Sequence, residues 1–276
     1  MKIVYTSDLH IIDDRSVSYT VISKIAIERP DYVVLGGDLV DFHRDWDNFL
    51  KTFATILDHT KICILLGNHD LWSLGTDTLR EREDVYEHVY EKCQEYGITF
   101  LEEDPVIADK TLLCGSIAWY DYSVKPEATN KEFLIINKKR FNNDGNYIHS
   151  RYSDIEYSDI CQKKLLKNIK KNQKLVDNIF VFTHVPILKE CIVPAPPGHK
   201  QHEWDMSNCY FFNLSLGDKI KKIKKIKMII SGHIHRYTKG ILPSGIHYAT
   251  CGSDYQRPEI LVINCFENDI NIERVS

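Results

Sequence analysis

The sequence predicts an α/β fold. Short apolar runs of strand length recur along the chain, several are separated by stretches of helical spacing, and the pattern turns strand-rich after Asn178. The strand-like runs are Lys2–Thr6, Tyr32–Leu35, Lys61–Leu66, Leu112–Ala118, Ile179–Thr183, Lys227–Ile230, His247–Thr250 and Glu259–Cys265. Val17–Glu28 places Val21, Ile22, Ile25 and Ala26 on one helical stripe. Trp46–Leu57 does the same with Phe49, Leu50, Phe53 and Leu57, and a third helix is expected over about Thr78–Tyr96. Hairpin-like strands are expected to close the chain through Ile272.

With 276 residues, the chain can bury a full core as one large domain with a possible subdomain, here read as 1–276. It is 43% hydrophobic and 27% charged, with a mean hydropathy of −0.30 and a net charge of −4. That balance gives no general reason to expect a nucleic-acid or membrane partner. No apolar run approaches the roughly 18 residues of a membrane span. The start, MKIVYTSDLH, passes directly into strand pattern with no secretory signal, so a cytoplasmic location is expected. Cys63, Cys114 and Cys265 lie inside apolar strand-like runs and no CxxC pair occurs. The eight cysteines therefore read as reduced thiols.

Two regions interrupt the alternation. Residues 121–158 are polar, aromatic and turn-rich, including Asn142-Asn143-Asp144-Gly145-Asn146, and read as an inserted cap. Residues 188–205 form a proline-rich loop expected on the substrate side. The lysine-dense segments Lys163–Lys174 and Lys219–Lys227 keep apolar residues at helix-like spacing, so each reads as a helix with a solvated lysine face.

The strand ends carry the functional signal. The first leads to Asp8-Leu9-His10 and the second to Gly36-Gly37-Asp38, with Asp41 close behind. The third leads to Gly67-Asn68-His69-Asp70, with Gly67 expected to make the turn. Ile179–Thr183 leads to His184, and Lys227–Ile230 to Ser231-Gly232-His233-Ile234-His235. One such residue is most often a cap or a turn. A whole set at the end where open α/β sheets gather ligands points to a site. In Asp8-x-His10 and His233-x-His235, an extended backbone would aim both side chains to one side. Imidazole with carboxylate suits zinc, iron or manganese rather than calcium. The donors outnumber the needs of one ion, which favours two ions sharing a carboxylate.

The series Asp8-x-His10, Gly37-Asp38, Gly67-Asn68-His69-Asp70, His184 and Gly232-His233-x-His235 resembles the full signature of the calcineurin-like metallophosphoesterases. The resemblance implies a four-layer α/β/β/α sandwich of two mixed sheets flanked by helices. It implies two divalent ions (Mn, Fe or Zn) at the strand ends. Asp8, His10 and His235 would bind the first ion, Asp38 would bridge, and Asn68, His184 and His233 would complete the second. His69 would face the substrate as general acid, with Asp70 holding its ring.

Two divalent ions bring about four positive charges, and Asp8 and Asp38 return only two negative ones, so the pocket favours a phosphate ester. Hydrolysis of a small phosphodiester or nucleotide is the leading expectation. Protein phosphatases of this superfamily extend the second block with arginine and glycine. Here it runs Gly37-Asp38-Leu39-Val40-Asp41-Phe42-His43, which lowers that reading and leaves His43 as a candidate pocket residue. A phosphomonoesterase, a nuclease guided by the lysine clusters and a non-catalytic scaffold are the alternatives. The intact His69 and ligand set argue against the scaffold. Trp119, Tyr120 and Tyr122 are candidates to stack on a base or aryl group, and His199, His202 and Trp204 to approach from the proline-rich loop. Arg257, after Gly252-Ser253-Asp254, is a candidate phosphate contact.

Overall fold

β1 (Lys2–Thr6), β2 (Tyr32–Gly36) and β3 (Lys61–Leu65) lie side by side in parallel and are apolar on both faces, because both faces are covered. The computed structural model describes residues 1–276 apart from 12–14, 42–45, 75–77, 80, 256 and 267–268. Two six-stranded sheets organise the chain. In the first, the order is β12 (Asp269–Val275), β11 (Ile260–Phe266), β1, β2, β3 and β4 (Thr99–Phe100), with β11 and β12 antiparallel to their neighbours. In the second, it is β5 (Val106–Ala108), β6 (Thr111–Ser116), β7 (Asn178–Thr183), β8 (Ile226–Ser231), β10 (His247–Thr250) and β9 (Thr238–Ile241).

Alternation along each strand builds the layers. Ile3, Tyr5, Val34, Cys63 and Leu65 turn inward to meet Leu113, Phe180, Phe182, Met228 and Ile230 of the second sheet. Their neighbours Val4, Val33, Leu35, Ile62 and Ile64 turn outward beneath α1 (Arg15–Glu28), α2 (Trp46–Ile56) and α3 (Arg82–Glu95). On the far side, Leu112, Cys114, Ile179, Val181 and Ile229 pack under α7 (Asp154–Asn172) and α9 (Leu214–Ile220). The result is the helix–sheet–sheet–helix sandwich that the resemblance implied. Among the described residues, no helix is long and apolar enough to cross a membrane.

Residues 121–158 hold α4 (Lys131–Ile136), α5 (Lys138–Phe141), α6 (Asp144–Tyr147) and the start of α7. The proline-rich segment is helical at its end, where α8 (Gln201–Asn208) begins. Lys219–Lys227 is not one helix. α9 stops at Ile220, a turn follows, and Ile226 enters β8 opposite Ile179 of β7.

Register places the site. Thr6 pairs with Leu35, and Gly36 with Leu65, so β1, β2 and β3 end level. Thr183 pairs with Ser231, so β7 and β8 end level in the other sheet. His184 N donates to Ser116 O and Gly232 N to His184 O, which carries the second sheet's ladder into the turns that bear its histidines.

Candidate metal centre

The polar residues beyond these five strands converge. Donor atoms of Asp8, His10 and His235 lie within 4.8 Å of one another, and so do those of Asp38, His184 and His233. A third such group, His10, Asp38 and His69, links the two. Asp38 Oδ2 is 3.9 Å from His10 Nε2 and 3.3 Å from His184 Nε2, between the two sets as a bridging carboxylate requires. Asn68 Oδ1 is 3.2 Å from His184 Nε2. The sequence-predicted ligands Asp8, His10, Asp38, Asn68, His184, His233 and His235 are thus brought together.

The backbone that achieves this is not extended. Asp8, His10, Asp38, His233 and His235 all have φ between 45° and 69°, the left-handed region that a non-glycine residue adopts at a cost. The expectation that x-spaced pairs share a side through extended geometry is corrected here. The turns aim each side chain separately. Gly67 is also not the turn-maker expected. A Cβ there would overlap the Asp38 carboxylate, so glycine serves close approach instead.

Partners on the far side of each ring set its tautomer. His10 Nδ1 lies 2.8 Å from Asp41 Oδ1, and His184 Nδ1 donates to Gly36 O at 3.0 Å, leaving each Nε2 toward the centre. His233 Nε2 donates to Tyr210 O at 3.3 Å and leaves Nδ1 inward. Asp8 accepts His233 N at 2.9 Å, and Asp38 Oδ1 accepts His69 N at 2.8 Å. His10 Nε2 and His235 Nε2 face each other at 3.3 Å. When His10 donates Nδ1–H to Asp41 and carries no second proton, its Nε2 lone pair faces the other ring, where a His235 N–H or a shared cation can take it. The donor set therefore fits divalent ions.

The local field points the same way. Burial opposes the charged form of His184, yet the Asp38 and Asp8 carboxylates raise its pKa to about 9. Burial also opposes ionisation of Asp41, but hydrogen bonds from His10 and His69 hold it at about 2. His233 is pushed well below the ordinary imidazole value by burial and by the neighbouring His184.

His69 does not meet its expected partner. Its Nδ1 lies 2.8 Å from Asp41 Oδ1, the same oxygen that holds His10. Asp70 is fully buried and instead accepts backbone N–H groups from Gly67, Asp38, Leu39 and Val40. The assignment of Asp70 as the residue steadying the His69 ring is therefore corrected. Its short side chain is consumed in stitching the β2 and β3 turns together. Burial and the Asp38 charge push its pKa up against those four donors.

Trp119, Tyr120 and Tyr122 are fully buried and cannot stack on a substrate. They pack edge-on with Tyr157 and Tyr210 under the cap. His199 and His202 are exposed, while Trp204 packs edge-on against Phe211, whose ring in turn meets His233 edge-on. His43 lies outside the described residues. Arg257 is exposed, and its backbone pairs with that of Asp254.

Sequence reasoning missed three contributors. Trp72 stacks on His69 with ring centroids 3.5 Å apart, and Tyr255 stacks on His10 at 4.3 Å. Asp144, fully buried, rises from the cap and accepts from Asn68 Nδ2. The available signal for Asp144 was a carboxylate inside a run otherwise made of Asn and Gly, which reads as turn chemistry. A cleft of about 330 Å³ opens over the centre between His69, His233 and His235 on one side and cap residues Lys139, Arg140 and Phe141 on the other.

A family model described as calcineurin-like phosphoesterase matches residues 1–237. Among solved structures, this chain resembles a phosphopantetheinyl hydrolase from Mycobacterium tuberculosis, with 18% identity over 93% of this chain and 90% of that one and a TM-score of 0.68. It also resembles a dimetal phosphatase from Danio rerio, with 13% identity over 99% of this chain and 95% of that one and a TM-score of 0.62. At these identities the likeness shows the shared fold. No curated protein matches the chain.

Proposed function

Because this chain belongs to the calcineurin-like phosphoesterase family, we propose that it hydrolyses small phosphodiesters, nucleotide esters among them, at a two-metal site. It is a hydrolase of phosphoric esters, and divalent metal ions belong in its active site. The observation that carries the finer reading is the pair of donor sets meeting at Asp38 directly beside His69.

Asp8, His10 and His235 would hold one ion, and Asn68, His184 and His233 the other, with Asp38 shared between them. Bound ions would supply Lewis acidity to the phosphoryl oxygens and lower the pKa of a nearby water. The chain's own residues do the rest. In its doubly protonated form His69 gives its Nε2 proton to the departing alkoxide, while the Asp41 carboxylate accepts Nδ1–H and stabilises the charged ring. Trp72 backs the His69 ring and limits its rotation. Phe141 and Phe211 offer apolar surface in the cleft to the organic groups of an ester. A cleft of about 330 Å³ is at the small end of small-molecule pockets and is roofed by the cap, which disfavours a folded protein as substrate.

The second block lacks the protein-phosphatase arginine, which supports a diester. The lysine segments give a nuclease little support, since Lys219 bonds Gln162 and Lys225 bonds the carbonyls of Gln173 and Val176. One observation favours a phosphomonoesterase as a second reading: exposed Lys139 and Arg140 line the cleft and match a dianionic phosphate. A cytoplasmic setting suits a chain in which seven of eight cysteines are buried free thiols.

A panel of bis(p-nitrophenyl) phosphate, p-nitrophenyl phosphate, cyclic nucleotides and DNA, assayed with manganese, iron or zinc, decides among these. We expect kcat/KM for the small diesters to exceed that for the monoester by at least about tenfold. The reverse order would establish the second reading, and no metal-dependent hydrolysis of any ester would overturn both.

A further inference from the structure

Asp144 belongs to the cap, 76 positions along the chain from Asn68, yet its carboxylate lies against the metal centre with no solvent exposure. Oδ1 accepts from Asn68 Nδ2 at 2.8 Å and from Trp72 Nε1 at 2.8 Å, and Oδ2 accepts from the Tyr120 hydroxyl at 3.1 Å. Every one of these donors is neutral.

An ionised carboxylate only accepts hydrogen bonds, whereas an amide has a donor end and an acceptor end. Facing Asp144, Asn68 must offer its NH₂ group, which leaves Oδ1 pointing the other way, 3.2 Å from His184 Nε2. Only that orientation presents an oxygen to a cation. The reversed amide would present N–H groups to it. The second bond fixes the indole of Trp72, whose ring backs His69.

The cap is built to hold this carboxylate in place. Lys138 Nζ is 2.8 Å from Asp154 Oδ1, and Asp154 also accepts from Trp119 Nε1 at 2.8 Å. Asn142 Oδ1 accepts from Asp144 N at 2.7 Å. Gly145 packs so closely on α5 that a Cβ would sit 2.7 Å from Lys139 N. The segment is thus pinned at Lys138, at Asn142 and at Asp144 itself.

We infer that Asp144 is a positioning residue through which the cap controls the metal centre: it orients the Asn68 amide as a ligand and holds Trp72 behind His69. The inference rests on the two-metal reading above. Its consequence is that the cap does more than shape the substrate cleft, because the second ion is held correctly only while the cap is docked.

The test is Asp144→Asn, which keeps shape and volume but can either donate or accept toward Asn68. Metal content after dialysis and affinity by calorimetric titration with Mn²⁺ are the readouts, with activity recorded separately. In the wild-type protein we expect two Mn²⁺ ions. In D144N we expect one ion at wild-type affinity and the other weakened about 10- to 100-fold, the usual effect of losing a ligand's outer partner.

A second comparison removes any effect of general damage. In the Asn68→Asp background the ligand has no donor end to misplace, and Asp144 faces a like charge. There the Asp144→Asn change should restore affinity. A merely structural role would weaken binding in both backgrounds. Wild-type affinity for both ions in D144N, or a loss of equal size in the two backgrounds, would overturn the inference. Failure of the wild-type protein to bind a metal pair would instead overturn the two-metal reading on which it stands.

Discussion

Asp41 holds two imidazoles on one oxygen, His10 and His69 each at 2.8 Å, and so couples a proposed metal ligand to the proposed proton donor. Asp41→Asn should therefore lower metal retention about 10- to 100-fold and reduce turnover as well, measured by metal content and kcat. Asp70→Asn should behave differently. It sets an NH₂ group among backbone N–H donors, at a cost of about 1–3 kcal/mol, while His69 keeps its partner. The variant should melt earlier and retain most of its kcat; a large kcat loss at unchanged melting temperature would return the His69 role to Asp70. His69→Ala should cost about 10²- to 10⁴-fold on esters with alkoxide leaving groups, less on p-nitrophenyl esters, with metal content unchanged. At this scale the sequence revealed which residues gather but not which carboxylate holds which ring. Asp41 and Asp70 each lie a few positions from a proposed ligand, and only the direction of each turn separates their roles.

At the scale of elements, α7 shows how a local signal anchors a distant region. Ser153 and Glu156 form a reciprocal capping box at its start. The helix then lends Tyr157 and Cys161 to the core of the first sheet, and Leu165 and Ile169 to that of the second. Ser153→Ala should destabilise the protein by about 0.5–2 kcal/mol, read as a lower urea midpoint, without changing KM. The central strands were legible because burial on both faces leaves an unbroken apolar run. The edge strands β4 and β9, two and four residues long, were not, because so short a stretch carries no period of its own. Lys219–Lys227 failed for a related reason. Ile220, Ile223 and Ile226 keep helical spacing, but pairing with β7 claims Ile226 for a strand.

Across the whole molecule, the centre joins the two sheets. Asp8, His10, Asp38 and Asn68 follow strands of the first, and His184, His233 and His235 follow strands of the second. Ions bound there connect both halves of the sandwich, so they should stabilise the folded state by about 2.7 kcal/mol at a hundredfold excess over Kd. A chelator should abolish activity and lower the melting temperature together, and manganese, iron or zinc should restore both. An unchanged melting temperature after complete metal removal would show that the ions do not bind across the sheets.

The sequence by itself determined the alternating architecture and the chemical identity of the centre, because strand periodicity and the choice of His, Asp and Asn after each strand are local properties. Tertiary structure alone decided that Asp41 steadies His69, that the tyrosines near 120 lie in the core, and that a cap carboxylate stands behind Asn68. Those facts depend on where separate segments meet in space. A left-handed turn or a docked insertion brings together residues whose separation along the chain says nothing about their contact.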